Sequence, residues 1–599
     1  MNREETRNLI LAIVLSALVL IGWNFVFPPP QPARLPAPTP TPSATATASP
    51  PSATVSANPS VGAGAAAAKP ETRAEALAES QRVKIDTRSL SGSINLKGGE
   101  IDDLTLKDYR ETTDPGSPNI VLLSPAGSPA PYWAETGFVS ADASVKTPNR
   151  ASVWTANGPT LTSQSPVTLS FDNGAGLVFR REISVDDKYM FTVKDWVEAS
   201  AGVDPSVRPY SVILRHGKPP LAGYAALHEG FIGVVGESGV NSQKYSDVEK
   251  AADKTIAMRG DGGWLGITDK YWAVVVIPEK SEPIEARFTA SGDPTAYDYQ
   301  VDFTGPDVKA DSTATNPVVT HIFAGAKEVS TLDAYESKLD IRIFSYLIDW
   351  GWFFFFTKPL FRLMDAIYRL VGNFGLAILS VTVIVKLVFF PLANRSFQSM
   401  AKMKKIQPEI AAIKERYPGD ATKQQQAQME LFKREGVNPV AGCLPMLIQI
   451  PVFFALYKVI LVTIEMRQAP FFGWIKDLSA PDPTNVFNLF GLLPFDPSVI
   501  PVFGHFLFMG AWPLIMGLSM FLQMKMNPEP TDPAQKAIFT WMPLIFTFTL
   551  ANFPVGLVIY WTWNNLLSIV QQYFIMRRAG VKFELWDNLA RLIGQKPKK

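Results

Sequence analysis

Apolar positions along this chain follow two unlike patterns: unbroken runs at the start and over the last 230 or so residues, and short alternating stretches between them. Residues 9–27 (LILAIVLSALVLIGWNFVF) form an uncharged run, close to the roughly 20 residues that cross a hydrocarbon core. A secretory signal has a shorter apolar core, about 7–15 residues. Here Phe27-Pro28-Pro29-Pro30 follows with no small-x-small cleavage pattern. Residues 1–27 therefore read as an uncleaved transmembrane anchor. Residues 28–80, dominated by Pro, Ala, Ser and Thr, lack the apolar content to build a core and read as a disordered tether.

From 81 to 335 the period is two. The stretches 177–185 (LVFRREISV), 189–197 (YMFTVKDWV), 211–214, 271–277 and 297–303 are β-branched or aromatic, with Gly, Pro, Asn or Asp between them. Many strands without a long intervening helix predict a large antiparallel β-sandwich. Residues 336–370 then mix aromatic rings with Lys358, Arg362, Asp365 and Arg369, which suits an amphipathic helix in the headgroup region. A five-span core follows over 371–578, with apolar segments at 371–392, 440–464, 506–524, 537–553 and 554–576. With the anchor, the fold class is a polytopic α-helical membrane protein of six spans carrying a large periplasmic β domain.

Charge sets the orientation. Residues 393–439 hold nine Lys/Arg and the tail after Met576 holds seven, whereas 465–505 hold only Arg467 and Lys476. Basic loops stay in the cytoplasm. The 393–439 hairpin, the basic tail at 579–599 and, by parity, the N-terminus are thus placed inside, and the β domain in the periplasm of a bacterial inner membrane. The hairpin reads as two helices broken at Pro418-Gly419-Asp420. Met400, Met403, Ile406, Ile410, Ile413 and Tyr417 recur at helical spacing on the first, with Met429 and Phe432 on the second. Such faces pack a hairpin together; Met400, Met403, Ile406, Met429 and Phe432 would also offer a soft apolar surface to varied hydrophobic segments.

Polar residues inside the spans are the candidate chemistry, because an ionisable group at mid-membrane is costly and marks function by default. Lys386 lies six residues before Leu392, within snorkelling reach of the cytoplasmic side, with Thr382 one turn above it. In the last span Trp561, Asn564, Asn565, Ser568, Gln571 and Gln572 form a polar stripe. The stripe is either hydrogen-bond glue between helices or, with Lys386, the wall of a hydrated, cationic groove open to the cytoplasm. Lys458 reads as a snorkelling residue at the periplasmic end of its helix.

Composition excludes more than it assigns. A net charge of +1 names no partner, and one cysteine (Cys443) permits no intrachain disulfide. No P-loop, nucleophile elbow or zinc-protease helix motif occurs. No cofactor, metal or small-molecule substrate is expected, and the chain does not read as an enzyme.

Longer motifs sharpen this. Residues 400–408 (MAKMKKIQP), 437–457 (VNPVAGCLPMLIQIPVFFALY), 467–471 (RQAPF), 474–479 (WIKDLS) and 553–560 (FPVGLVIY), with Asn564-Asn565-Leu566 and Gln571-Gln572, resemble the YidC/Oxa/Alb insertase family over about 380–578. The resemblance implies a membrane protein insertase and chaperone acting on nascent membrane proteins in the lipid bilayer, alone or beside the Sec translocon, with substrates delivered by ribosomes. It implies a substrate groove holding Lys386, Thr382, Gln449, Tyr560, Trp561, Asn564, Asn565 and Ser568, and a periplasmic supersandwich related to sugar-binding folds. Gram-negative members usually carry Arg where Lys386 stands, so charge is kept but the bidentate fork is not. Trp561 replaces the second residue of a Tyr-Tyr pair. The insert at 487–505 has no assigned role. The competing readings are a secondary transporter or channel using Lys386, which paired inverted repeats would favour, and a periplasmic sugar enzyme using His216, His228 and Glu229.

Overall fold

The computed structural model describes residues 72–200, 205–220, 227–309, 317–437, 444–495, 497, 509–526 and 533–580. The anchor, most of the tether and the basic tail lie outside them. Alternating residues at 81–335 do form strands. The predicted stretch 177–185 is the strand Leu177–Val185, and the others fall within Met190–Ala199, Ser206–His216, Trp272–Ile277 and Ala296–Thr304 or begin one residue before them. Among the described residues twenty strands make two sheets, one of eleven strands and one of nine. Pairing is antiparallel except where Arg82–Asp86 meets Thr160–Leu161. In Leu177–Val185 every second residue is buried, the signature of a face packed on a core.

Eleven helices are described: α1 (Arg73–Ala78), α2 (Tyr245–Lys250), α3 (Val329–Lys338), α4 (Phe354–Val371), α5 (Phe374–Val388), α6 (Phe390–Arg416), α7 (Ala421–Glu435), α8 (Leu444–Val462), α9 (Ala511–Met526), α10 (Pro533–Leu550) and α11 (Val555–Arg578). Taken singly, none is long and apolar enough to cross a membrane by length and hydropathy alone; α5 and α6 qualify only as a pair bent by 68°. That bend corrects the expected uninterrupted run at 371–392. Gly372, at φ +70°, ends α4, and the Asn373 side chain accepts from the Leu376 amide to start α5. Pro391, which has no amide to donate, sits in the first turn of α6 and marks the bend.

The segment predicted to lie at the interface ends in α4, whose Leu360, Phe361 and Met364 are buried while Trp352, Phe354 and Phe355 are exposed. Gly517 lets α9 approach α10: a Cβ there would fall 2.0 Å from Thr547 Oγ1, the small-residue contact common between membrane helices.

One continuous apolar core runs from both sheets through α4, α5, α8 and α11, and polar contacts fasten the β domain to the helices. Lys458 Nζ donates to Asp349 Oδ2 at 2.8 Å, and the same oxygen accepts the His228 amide at 3.0 Å. A buried or half-buried ammonium beside a carboxylate is better served by the pair than by distant water. Glu465 Oε1 accepts the Val329 amide that opens α3, at 2.8 Å. Arg467 donates to the Arg110 and Glu111 carbonyls and stands 5.2 Å over the Trp272 ring.

Candidate functional site

The groove is built from five helices and the start of a sixth. From α5, Lys386 projects toward α11 and donates to Ser568 Oγ at 2.6 Å. The Ser568 hydroxyl itself donates to the Asn564 carbonyl one turn earlier, at 2.7 Å, so its lone pairs are free for the ammonium. No carboxylate lies within ion-pair distance of Lys386 among the described residues. From α8, Gln449 Nε2 donates to the Tyr560 hydroxyl on α11. Asn565 Nδ2 donates to Ser519 Oγ on α9 at 3.0 Å. Asn564 Oδ1 is buried and has no hydrogen-bond partner among the described residues, a costly state for an amide oxygen unless water reaches it.

These side chains surround a cavity of about 410 Å³. Lys386, Gln449, Tyr560, Trp561, Asn564, Asn565, Ser568 and Gln571 line it, as does Met400 from α6. Thr382 does not. It is buried and its Oγ1 turns back to the Ile378 carbonyl at 2.7 Å, the usual recourse of a helical threonine packed away from water. Sequence reasoning missed the apolar wall: Phe453 and Phe454 on α8, Met520 and Met524 on α9, and Phe539, Met542 and Phe546 on α10. Their only signal was Met enrichment, since a residue facing a cavity and one facing lipid look alike in sequence.

Trp561 forms the floor between α8 and α10. Its ring meets Phe453 edge-on at 4.7 Å and Phe546 at 5.3 Å. Among the described residues no extensive contact joins α8 to α10, and Ile450, Phe454 and Phe539 are exposed along that seam. The site is thus polar on its α5–α11 side and apolar toward the seam.

The hairpin residues divide. Ile406 is 5% exposed in a small core with Ile410, Leu431 and Val437, and Met403 and Phe432 pack against it. Met429 is 47% exposed, and Met400 faces the groove. The periplasmic trio stays apart. His216 pairs with Asp298, His228 Nε2 contacts the Phe231 carbonyl at 2.8 Å, and Glu229 accepts the Lys270 amide.

Comparison with known proteins decides the family. Residues 366–582 match the family described as 60Kd inner membrane protein, and residues 82–363 match the YidC periplasmic domain. A membrane protein insertase YidC of Beijerinckia indica is 57% identical over 98% of both chains. This chain belongs to the YidC membrane protein insertase family. The YidC of Methylobacterium nodulans is 55% identical over 98% of both chains, and that of Bradyrhizobium diazoefficiens 51% over 99% of both. A solved structure described as an active YidC insertase with its first transmembrane domain resolved covers 83% of this chain and 93% of its own, at 18% identity and a TM-score of 0.35; the relatives, not this alignment, establish the family. Family membership makes the chain a membrane protein with a periplasmic β domain followed by the helical region that carries the groove.

Proposed function

We propose that the groove receives the hydrophobic segment of a nascent membrane protein from the cytoplasm and releases it sideways into the bilayer. The observation that carries this reading is Lys386: a cation held by one neutral hydroxyl on the polar wall of a cavity whose other side is apolar. A polar flank crossing hydrocarbon unaided meets a penalty of about 2.5–3.5 kcal/mol per charged residue at the centre. Water and a positive site halfway across lower that penalty, most of all for short tails bearing Asp or Glu. The apolar part of the substrate meets Phe454, Ile450 and Phe539, and the seam between α8 and α10 gives it a route to lipid.

This reading takes six spans, both termini in the cytoplasm and the domain boundaries drawn from the sequence, except that the β domain reaches back into the expected 28–80 tether to α1, whose Arg73 pairs with Asp103. It includes Met429 and Met400 as early contacts for substrate, and cooperation with the Sec translocon and ribosomes. It involves no bond making. The test is insertion of a short-tailed acidic substrate in cells depleted of the native insertase and supplied with wild type, Lys386→Arg or Lys386→Ala. Retention by Arg with loss by Ala supports the charged groove; normal insertion by Lys386→Ala removes its main support. In the channel reading Lys386 would serve an ion path, and substrate-specific flux in sealed proteoliposomes would favour it.

A further inference from the structure

The run VFNLFGLLPF at 486–495 overlaps the start of the 487–505 insert that precedes α9, and no charge occurs from Pro483 to Phe495. In a loop next to water such a run should fold its apolar side chains inward. Here Phe487, Leu489, Phe490, Leu492, Leu493 and Phe495 are all exposed, Leu492 to 82%.

The backbone behaves in the opposite way. The Val486 amide donates to the Met509 carbonyl, Phe487 to Asn485 Oδ1, Phe490 to the Asn485 carbonyl, Gly491 to Asn488 Oδ1, Leu493 to the Asn488 carbonyl and Phe495 to the Leu493 carbonyl. The Asn488 amide group also donates to the Phe495 carbonyl. Leu489 and Phe490 adopt positive φ, 52° and 58°, a conformation unfavourable for such residues that closes the loop on itself. A loop with most of its amides bonded to itself or to its immediate anchors and an uncharged patch of large apolar side chains outward marks a surface made for contact with an apolar partner or a membrane.

We propose that residues 486–495 form a wedge seated in the interfacial zone of the lipid bilayer, on the β-domain side of the helices. The side follows from the preceding segment, where Arg467 and Gln468 touch the carbonyl of Arg110 in the β domain. The base of the wedge is fixed. Asp482 accepts the Trp512 amide at the start of α9 and the Trp474 indole at 3.1 Å, and Thr484 Oγ1 accepts the Ala511 amide. Trp474 and Phe472 are exposed beside it, and an indole with one polar end held is a usual occupant of the membrane interface. This placement rests on the helices lying in a membrane, as the insertase reading requires.

The test uses the full chain with Cys443→Ser, reconstituted in phosphatidylcholine/phosphatidylglycerol vesicles and spin-labelled singly at Phe490→Cys or Leu492→Cys. Collision with dissolved oxygen, which concentrates in lipid, is compared with collision with water-soluble nickel-EDDA. Leu518→Cys on the exposed face of α9 is the lipid reference, and Ala175→Cys in a β-domain turn is the aqueous one. The wedge predicts that labels at 490 and 492 lose most nickel accessibility relative to 175 and approach the oxygen accessibility of 518. Nickel accessibility equal to that at 175 overturns it. So does protection from both reagents, which would mean a protein contact. If the label at 518 is itself open to nickel, the membrane placement of the helices fails, not the wedge alone.

Discussion

Arg181 in the β domain and Lys386 in the helical core are two cations held in different ways. Arg181, 2% exposed, donates through Nε to Asp195 at 2.7 Å, to the Gly99 carbonyl at 2.9 Å and to the Thr136 carbonyl, while Thr136 Oγ1 donates to the other Asp195 oxygen at 2.6 Å. Asp195 and Arg181 lie in the nine-stranded sheet, Thr136 in the eleven-stranded one, so the pair clamps the sandwich. Arg82 with Asp102 and Arg287 with Asp302 are further arginine–carboxylate pairs, each between strands of the eleven-stranded sheet. Among the described residues Lys386 has a hydroxyl and no carboxylate. A buried charge that is fully matched holds a fold in one state, and a charge left under-matched at a cavity remains available to something that comes and goes.

The largest expected effect is on the architectural side. Arg181→Ala leaves the Asp195 carboxylate buried without its partner, and removing one member of such a pair costs about 3–5 kcal/mol. Thermal unfolding of the full chain followed by its β-sheet circular dichroism should show it, while properly folded protein at low temperature still inserts substrate. Unchanged unfolding would erase the contrast between the two cations.

Lys386→Ala comes next. If the groove offsets about 1.4 kcal/mol of the cost of moving an acidic tail, its loss slows insertion about tenfold. Lys386→Arg should stay near wild type, and a substrate with a neutral tail should be the less affected one. Equal losses for acidic and neutral tails would argue that Lys386 shapes the groove and does not supply its charge.

The junction gives a pH-dependent effect. Burial pushes the Glu465 carboxyl up to about 7, and the bond from the Val329 amide only partly opposes this. A carboxyl raised in the folded state contributes fully below its ordinary value of 4.5. Its contribution is lost progressively as pH rises from there to about 7, because the unfolded chain releases the proton first. Glu465→Gln keeps an acceptor for Val329 and removes the titration. Stability of the wild type relative to this variant should fall across that window and level off above it; parallel pH profiles would contradict the assignment.

Smallest of all is Thr382→Val. The hydroxyl it removes bonds only its own helix, so insertion should stay within about twofold of wild type, a free-energy change under 0.5 kcal/mol. A loss matching that of Lys386→Ala would return Thr382 to the groove.

Thr382 also shows where reading the chain stops. Lys386, Asn564, Asn565 and Ser568 were legible as polar residues in apolar runs, which have few reasons to be there, and helical spacing put the last three on one stripe of α11. The same spacing placed Thr382 on the Lys386 face, but a threonine can satisfy itself on its own helix and carries no comparable constraint. The strand at Leu177–Val185 was legible to the residue because alternation is unambiguous when one face is buried. The bend between α5 and α6 was not, since hydropathy is blind to Pro391. Lys458 pairs with an aspartate 109 positions earlier, a contact set by how α8 meets the segment before α4 and absent from any local pattern.

The account depends on water reaching Lys386 and Asn564 from the cytoplasmic side. In a Cys443→Ser background, cysteine at 386 and, separately, at 564 should react with a small membrane-impermeant thiol reagent in inverted inner-membrane vesicles and resist it in right-side-out ones. Failure to react from either side, with a cysteine at exposed Met429 reacting normally, would show a dry site and contradict the hydrated groove.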